Sequence, residues 1–130
     1  MDQTLELKLK EFRKALDTLV EALNMFDVAN ILVRDATIKR FEYCFELCLK
    51  TSKVFLKEAK GDLVVAPKEC FKTLCKHGLL SSEETEKLLK MVDDRNETTH
   101  AYGAKFIENL YPRIKDYKEL MLKIYESIKM

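Results

Sequence analysis

Apolar residues recur at helical spacing along most of the chain. Leu5, Leu9, Phe12, Leu16, Leu19 and Leu23 follow one another in alternating steps of four and three, which places them on one stripe of an α-helix. Asp2 or Thr4 can cap it. The stretch NMFDVANILV (24–33) breaks the period and reads as the first connection. A second stripe runs through Ile38, Phe41, Phe45, Cys48, Ser52 and Phe55, widened by Leu49 and Leu56, with Gly61 placed to end it in a left-handed turn. The spacing predicts a helix from Ile31 to Lys60, the longest element, about 45 Å at 1.5 Å per residue.

Pro67 suits the first turn of a short helix, PKECFKTLCKHG, closed by Gly78. Ser81 and Glu84 have capping-box spacing and open a helix whose apolar side carries Leu88, Leu89, Met91 and Val92. The last segment repeats the pattern with Phe106, Leu110, Ile114, Tyr117, Leu120, Met121, Ile124 and Ile128. Pro112 either starts that final helix or kinks it, since it lacks a donor and crowds the preceding turn. No segment reads as a strand. Four principal helices, one short helix and short connections favour an all-α, antiparallel up-down four-helix bundle in a single domain, residues 1–130.

Composition supports this and narrows the function. Only 3 glycines and 2 prolines interrupt 130 residues, and 35% are charged, a balance that favours helix throughout. A net charge of +1 argues against a bulk polyelectrolyte clamp and leaves room for a local basic cleft. The N-terminal stretch MDQTLELKLKEF has no apolar run of the signal-peptide kind, and no run approaches a membrane span, so a cytoplasmic location away from membranes is expected. Cys44, Cys48, Cys70 and Cys75 lack a C-x-x-C zinc pattern. Core thiols are expected there, and no metal.

Polar residues that could carry chemistry gather in RNETTHAY, 95–102. On an ideal helix Asn96 and His100 are neighbours, while Arg95 and Tyr102 share an azimuth two turns apart. The group would then line one side of a cleft near a helix end. Histidine exchanges protons near neutral pH, arginine stabilises charge on phosphate oxygens, and asparagine can orient a ribose hydroxyl or a phosphate. The tyrosine hydroxyl could instead accept a transferred group. The competing reading is a plain helix terminus, where Asn is common and a histidine is electrostatically favoured. A second row, Glu42, Glu46 and Lys50, has the spacing of a helical ion pair from Glu46 to Lys50. It is either a solvated charged face or a surface turned toward a partner or the His100 cleft, and Arg40 and Tyr43 flank it. Lys72, Lys76 and His77 end the short helix, where His77 reads as a turn residue. There is no phosphate-binding glycine loop, no dinucleotide glycine motif and no carboxylate cluster for two metals. The chain is not expected to bind ATP–Mg²⁺ and transfer nucleotides by itself, and no cofactor is expected.

RNETTHAY resembles the Arg-x4-His-x-Tyr signature of HEPN-superfamily proteins, especially the nucleotidyltransferase substrate-binding proteins. The resemblance covers nearly the whole chain. VRDATIKRFEYCFELCLK (33–50) is similar to that group's second-helix block, with Phe41, Glu42, Glu46 and Lys50 at matching places. APKECFKTLCKHGLL resembles its proline-led short helix, and DDRNETTHAY its hallmark. Ala66 stands before Pro67 where a serine is frequent, and Leu49 where an aromatic is common. The resemblance implies a homodimeric bundle and a minimal nucleotidyltransferase encoded nearby as partner. In HepT-like members the dimer is a metal-independent ribonuclease toxin, whose catalytic Arg and His would be Arg95 and His100, with Asn96 beside them and RNA or a nucleotide in the dimer cleft. The partner would act as antitoxin by transferring AMP to Tyr102. Other members are non-catalytic substrate- or nucleotide-binding subunits, and that alternative stays open.

Overall fold

The computed structural model describes residues 3–25, 27, 29–100 and 103–130. Among the described residues five helices follow one another: α1 (Gln3–Asn24), α2 (Ile31–Lys60), α3 (Pro67–Lys76), α4 (Ser82–Glu97) and α5 (Ala104–Lys129). Among the described residues there is no strand. The expected all-α bundle of four long helices and one short one is what the chain forms, and α2 has the predicted bounds.

Local chemistry explains most helix ends. The Asn30 side chain accepts from the Val33 N–H at 3.2 Å and starts α2. At the other end Gly61 adopts φ 72°, and the Asp62 N–H reaches back to the Leu56 carbonyl at 3.0 Å, a Schellman-type close that a side chain at residue 61 would strain. Ser81 and Glu84 form the predicted capping box: the Glu84 N–H donates to Ser81 Oγ and the Ser81 N–H donates to Glu84 Oε1. Ala66 at the start of α3 offers no such side-chain bond. The Asp2 alternative for capping α1 lies outside the described residues, and Thr4 lies within that helix.

Pro112 neither starts α5 nor ends it; it sits inside the helix. It supplies no N–H for the Glu108 carbonyl, and the adjacent Asn109 carbonyl accepts from Arg113 Nη1 at 3.1 Å.

Cross-helix contacts fix the up-down order. Arg40 Nη1 donates to the Thr18 carbonyl and Thr51 Oγ1 to the Lys8 carbonyl, so α1 and α2 run antiparallel. Tyr111 donates to the Leu23 carbonyl while Tyr125 meets Phe12 edge-on, so α1 and α5 do as well. Arg113 with Asp94 and Lys123 with Glu84 pair α5 against α4. The short α3 bridges α2 and α4.

The core follows the predicted stripes, except that Phe55 and Leu89 are only half-buried at its edge and the α5 stripe is shifted. In α5 it is Ile107, not Phe106, that is fully buried, and Phe106 and Leu120 lie at the rim. The true stripe of Ile107, Leu110, Ile114, Tyr117, Met121, Ile124 and Ile128 keeps strict three-four spacing, which holds a straight seam against the neighbours. Helix α2 is buried on a wider arc than one stripe, with Cys44, Leu47 and Thr51 inside as well, because it packs on α1, α3 and α5. Cys44, Cys48 and Cys70 are buried free thiols and Cys75 is half-buried. Burial pushes the Cys44 and Cys70 thiols up to about 12, which keeps them protonated and unreactive. Among the described residues no group of His, Cys, Asp and Glu gathers to hold a metal, and no helix is long and apolar enough to cross a membrane.

Candidate functional site

The polar motif falls at the end of α4, and the helix stops sooner than an ideal-helix reading requires. Glu97 is its last residue. Beyond it the Thr99 N–H donates to the Asn96 carbonyl and the His100 N–H to the Glu97 carbonyl, three residues back rather than four. Two consecutive threonines account for this. Their hydroxyls lie 2.6 Å from the Arg95 carbonyl and 2.8 Å from the Asn96 carbonyl, so side chains satisfy carbonyls that a further helical turn would have used. The expected helical adjacency of Asn96 and His100 is therefore not formed; His100 sits on a tightened turn past the helix. Asn96 and His100 are both exposed. Tyr102 lies outside the described residues.

Arg95 behaves differently from its neighbours. It is half-buried and turned toward α2, where Nη1 lies 3.4 Å from Glu42 Oε2 and Nη2 lies 4.0 Å from Glu46 Oε1. Nη1 also donates to Thr98 Oγ1 at 3.4 Å. Thr98 is buried, and its hydroxyl lies 2.6 Å from Glu42 Oε2. With a single proton, that hydroxyl serves either Glu42 or the Arg95 carbonyl at one time. The fold thus brings Glu42 and Glu46 of the second-helix row to Arg95. Lys50 is exposed, and the Glu46–Lys50 helical pair is not formed among the described residues. His77 accepts a structural role: its Nε2 lies 2.6 Å from Asp62 Oδ2, tying the end of α3 to the connection before it.

Sequence reasoning missed the residues that anchor this end of α4. Asp94, adjacent to Arg95, faces the opposite way and is buried. Its carboxylate takes a two-pronged grip from Arg113, Nε to Oδ2 at 2.8 Å and Nη2 to Oδ1 at 3.1 Å. The buried Tyr117 hydroxyl donates to Oδ2 at 2.5 Å. Burial and then the Asp94 carboxylate push the Tyr117 phenol well above its ordinary value, so it remains a donor. Bonding to Asp94 likewise raises the Arg113 guanidinium. Tyr117 stacks on Phe41 of α2 with ring centres 6.0 Å apart. The last turn of α4 is thereby wedged between α5, through Asp94, and α2, through Arg95 and Thr98. One signal was available: Asp94 occupies an inward position on the α4 stripe, and a carboxylate there needs a partner.

The surface beside this anchor holds a cleft of 380 Å³ between α4 and α5, lined by Lys87, Lys90, Arg113, Asp116 and Tyr117 among others. It mixes cations and carboxylates and borders Arg113, not Arg95 or His100. Among its described residues RNETTHAY offers an arginine on a partly buried seam, an exposed asparagine beside it in the last helical turn and an exposed histidine on the turn beyond.

Comparison with known proteins gives this arrangement a context. Among curated sequences none matches the chain. Among solved structures, a protein from Thermus thermophilus is 35% identical, with a TM-score of 0.85 over 92% of this chain and 99% of that one. The tri-AMPylated Shewanella oneidensis HEPN toxin, in complex with its MNT antitoxin, superposes with a TM-score of 0.77 at 16% identity, covering 99% of this chain and 98% of that one. A toxin–antitoxin structure with AMP-PNP gives 0.79 at 15% identity, over 99% and 98%. At such identity the latter two establish the shared helical fold. The model of the family described as "Nucleotidyltransferase substrate binding protein like" matches residues 7–130. With that match spanning nearly its whole length, this chain belongs to the nucleotidyltransferase substrate-binding-protein-like family.

Proposed function

We propose that this chain is the HEPN-type subunit of a two-component system, a metal-independent ribonuclease toxin that a minimal nucleotidyltransferase neutralises by transferring AMP to Tyr102. One observation carries the reading. Arg95 is held on a partly buried seam by contacts of 3.4 and 4.0 Å, close in sequence to the exposed Asn96 and His100. In cleavage the ribose 2′-oxygen attacks the adjacent phosphorus and the 5′-oxygen leaves. His100 moves a proton, Arg95 stabilises charge on the phosphate oxygens, and Asn96 orients the ribose or the phosphate. The chain acts as a homodimer, with RNA in the cleft between copies. In modification the Tyr102 phenolic oxygen bonds to the α-phosphorus of ATP, pyrophosphate leaves and the phenolic proton passes to solvent. The phosphodiester so formed adds a negative charge to the motif and competes with a substrate phosphate.

The test pairs two measurements. His100→Ala should abolish RNA cleavage while thermal unfolding stays cooperative. Cleavage at the wild-type rate in that variant refutes the ribonuclease reading. Incubation with the partner, ATP and Mg²⁺ should add AMP mass to the wild type and none to Tyr102→Phe.

A second reading is favoured by the family's own description as substrate-binding: a non-catalytic subunit that presents a substrate or nucleotide to the nucleotidyltransferase. It expects a stable heteromer and no cleavage of any RNA by the pure protein.

A further inference from the structure

Two arginines flank the end of α4, and they are held in contrasting ways. Arg113 is locked, with both prongs on Asp94 at 2.8 and 3.1 Å. Arg95 is tethered. Its distances to Glu42 and Glu46, 3.4 and 4.0 Å, exceed the roughly 2.7–2.9 Å of a formed charge-assisted hydrogen bond. Its Nε is buried with no hydrogen-bond partner. The terminal nitrogens are therefore loosely held, and a phosphate at hydrogen-bonding distance would hold them better than either carboxylate does.

Glu42, by contrast, has contacts besides Arg95. Thr98 Oγ1 is 2.6 Å from its Oε2, and Lys39 Nζ is 3.6 Å from its Oε1. Its side chain is 15% exposed, so its charge acts on Arg95 across a partly desolvated seam and is screened less than a surface charge would be. Glu46 adds a second, more exposed carboxylate.

We infer that Glu42 is a positioning residue that holds Arg95 in reserve: it aims the guanidinium along the α2–α4 seam, and its charge competes with a phosphate for it. The inference rests on Arg95 being the phosphate-binding group of the proposed function. It has an uncommon consequence, that removing a charged residue beside the site tightens binding. Glu42→Gln retains an oxygen that can accept from Thr98 and nearly the same volume, and removes the charge while turning the other oxygen into an amide donor.

The experiment measures binding of a 2′-O-methyl RNA oligonucleotide, which lacks the free 2′-hydroxyl needed for cleavage, to the full-length protein over a range of salt. Relative to wild type, Glu42→Gln should bind about tenfold tighter, with a salt slope steeper by about 0.7, one more cation made available to a single strand. Glu46→Gln, at a more exposed position, should shift binding the same way by a smaller factor. Arg95→Ala should weaken binding, and Glu42→Gln combined with Arg95→Ala should bind like Arg95→Ala alone. If Arg95→Ala weakens binding while Glu42→Gln leaves it equal or weaker, the role of Glu42 is overturned and that of Arg95 stands. If Arg95→Ala binds like wild type, Arg95 is not the phosphate-binding group and both statements fall. A purely structural Glu42 would lower the unfolding temperature of Glu42→Gln without tightening binding.

Discussion

Replacing Asp94 by alanine removes the anchor between α4 and α5, and the structure sets the size of the effect. The change deletes the acceptor for Arg113 at 2.8 and 3.1 Å and for Tyr117 at 2.5 Å. The two losses are unequal. Arg113 is 37% exposed, can return to water, and keeps its bond to the Asn109 carbonyl, so its share is about 0.5–1 kcal/mol. Tyr117 is only 2% exposed, and its hydroxyl would be left buried without an acceptor, at a cost of about 1–3 kcal/mol. Asp94→Ala should therefore cost roughly 1.5–4 kcal/mol, a fall on the order of 10 °C in Tm for a domain of this size. Urea denaturation of wild type, Asp94→Ala, Tyr117→Phe and the double variant measures it. Once Asp94 is gone, Tyr117→Phe removes the orphaned hydroxyl, so the double variant should be less destabilised than the two single losses added, by about 1–2 kcal/mol. A loss below about 0.5 kcal/mol for Asp94→Ala, or additivity in the cycle, would refute this account.

Two further tests concern the helix starts. Ala66 has the extended backbone of an N-cap, φ −74° and ψ 140°, but no side-chain cap bond; Ala66→Ser should stabilise the protein by about 0.5–1 kcal/mol in urea melts, and a decrease would show that serine cannot turn toward the helix there. The bond from Lys123, followed by that from the Ser81 backbone, holds the Glu84 carboxyl below its ordinary value. Between the ordinary carboxylate range and that lower folded value the unfolded chain binds more protons than the native one. This stability is therefore present above the ordinary value and lost as pH falls through the folded one. Melting temperatures taken from pH 6 downward should drop less steeply for Glu84→Gln than for wild type, and parallel curves would exclude the effect.

Helices were legible because their causes are local. Apolar spacing, the Ser81 cap, Gly61 and Pro67 each act within a turn of the residue concerned, and α2 lies where apolar spacing and Gly61 place it. The motif was legible as a group of residue types, Arg95, Asn96 and His100, but not as geometry. The threonines that end α4 bond backward to the Arg95 and Asn96 carbonyls, so azimuths drawn on a continued helix misplace His100. In α5 the choice between Phe106 and Ile107 depended on which of two adjacent apolar residues faced the core, and only packing decides that.

Which charges pair was also beyond local rules. Spacing within α2 favoured Glu46 with Lys50, an interaction worth about 0.2–0.5 kcal/mol on a solvated helix. The bundle instead places Arg95 on a partly buried seam, where an uncompensated charge costs more than that, and Glu46 lies toward Arg95 alongside Glu42. The inward Asp94 found Arg113 and Tyr117 from a helix well removed in sequence. The sequence by itself determined the helices, their order and the residue types at the site. Tertiary packing decided which side chain each charge meets, because desolvation outweighs the small preferences of neighbours along one helix.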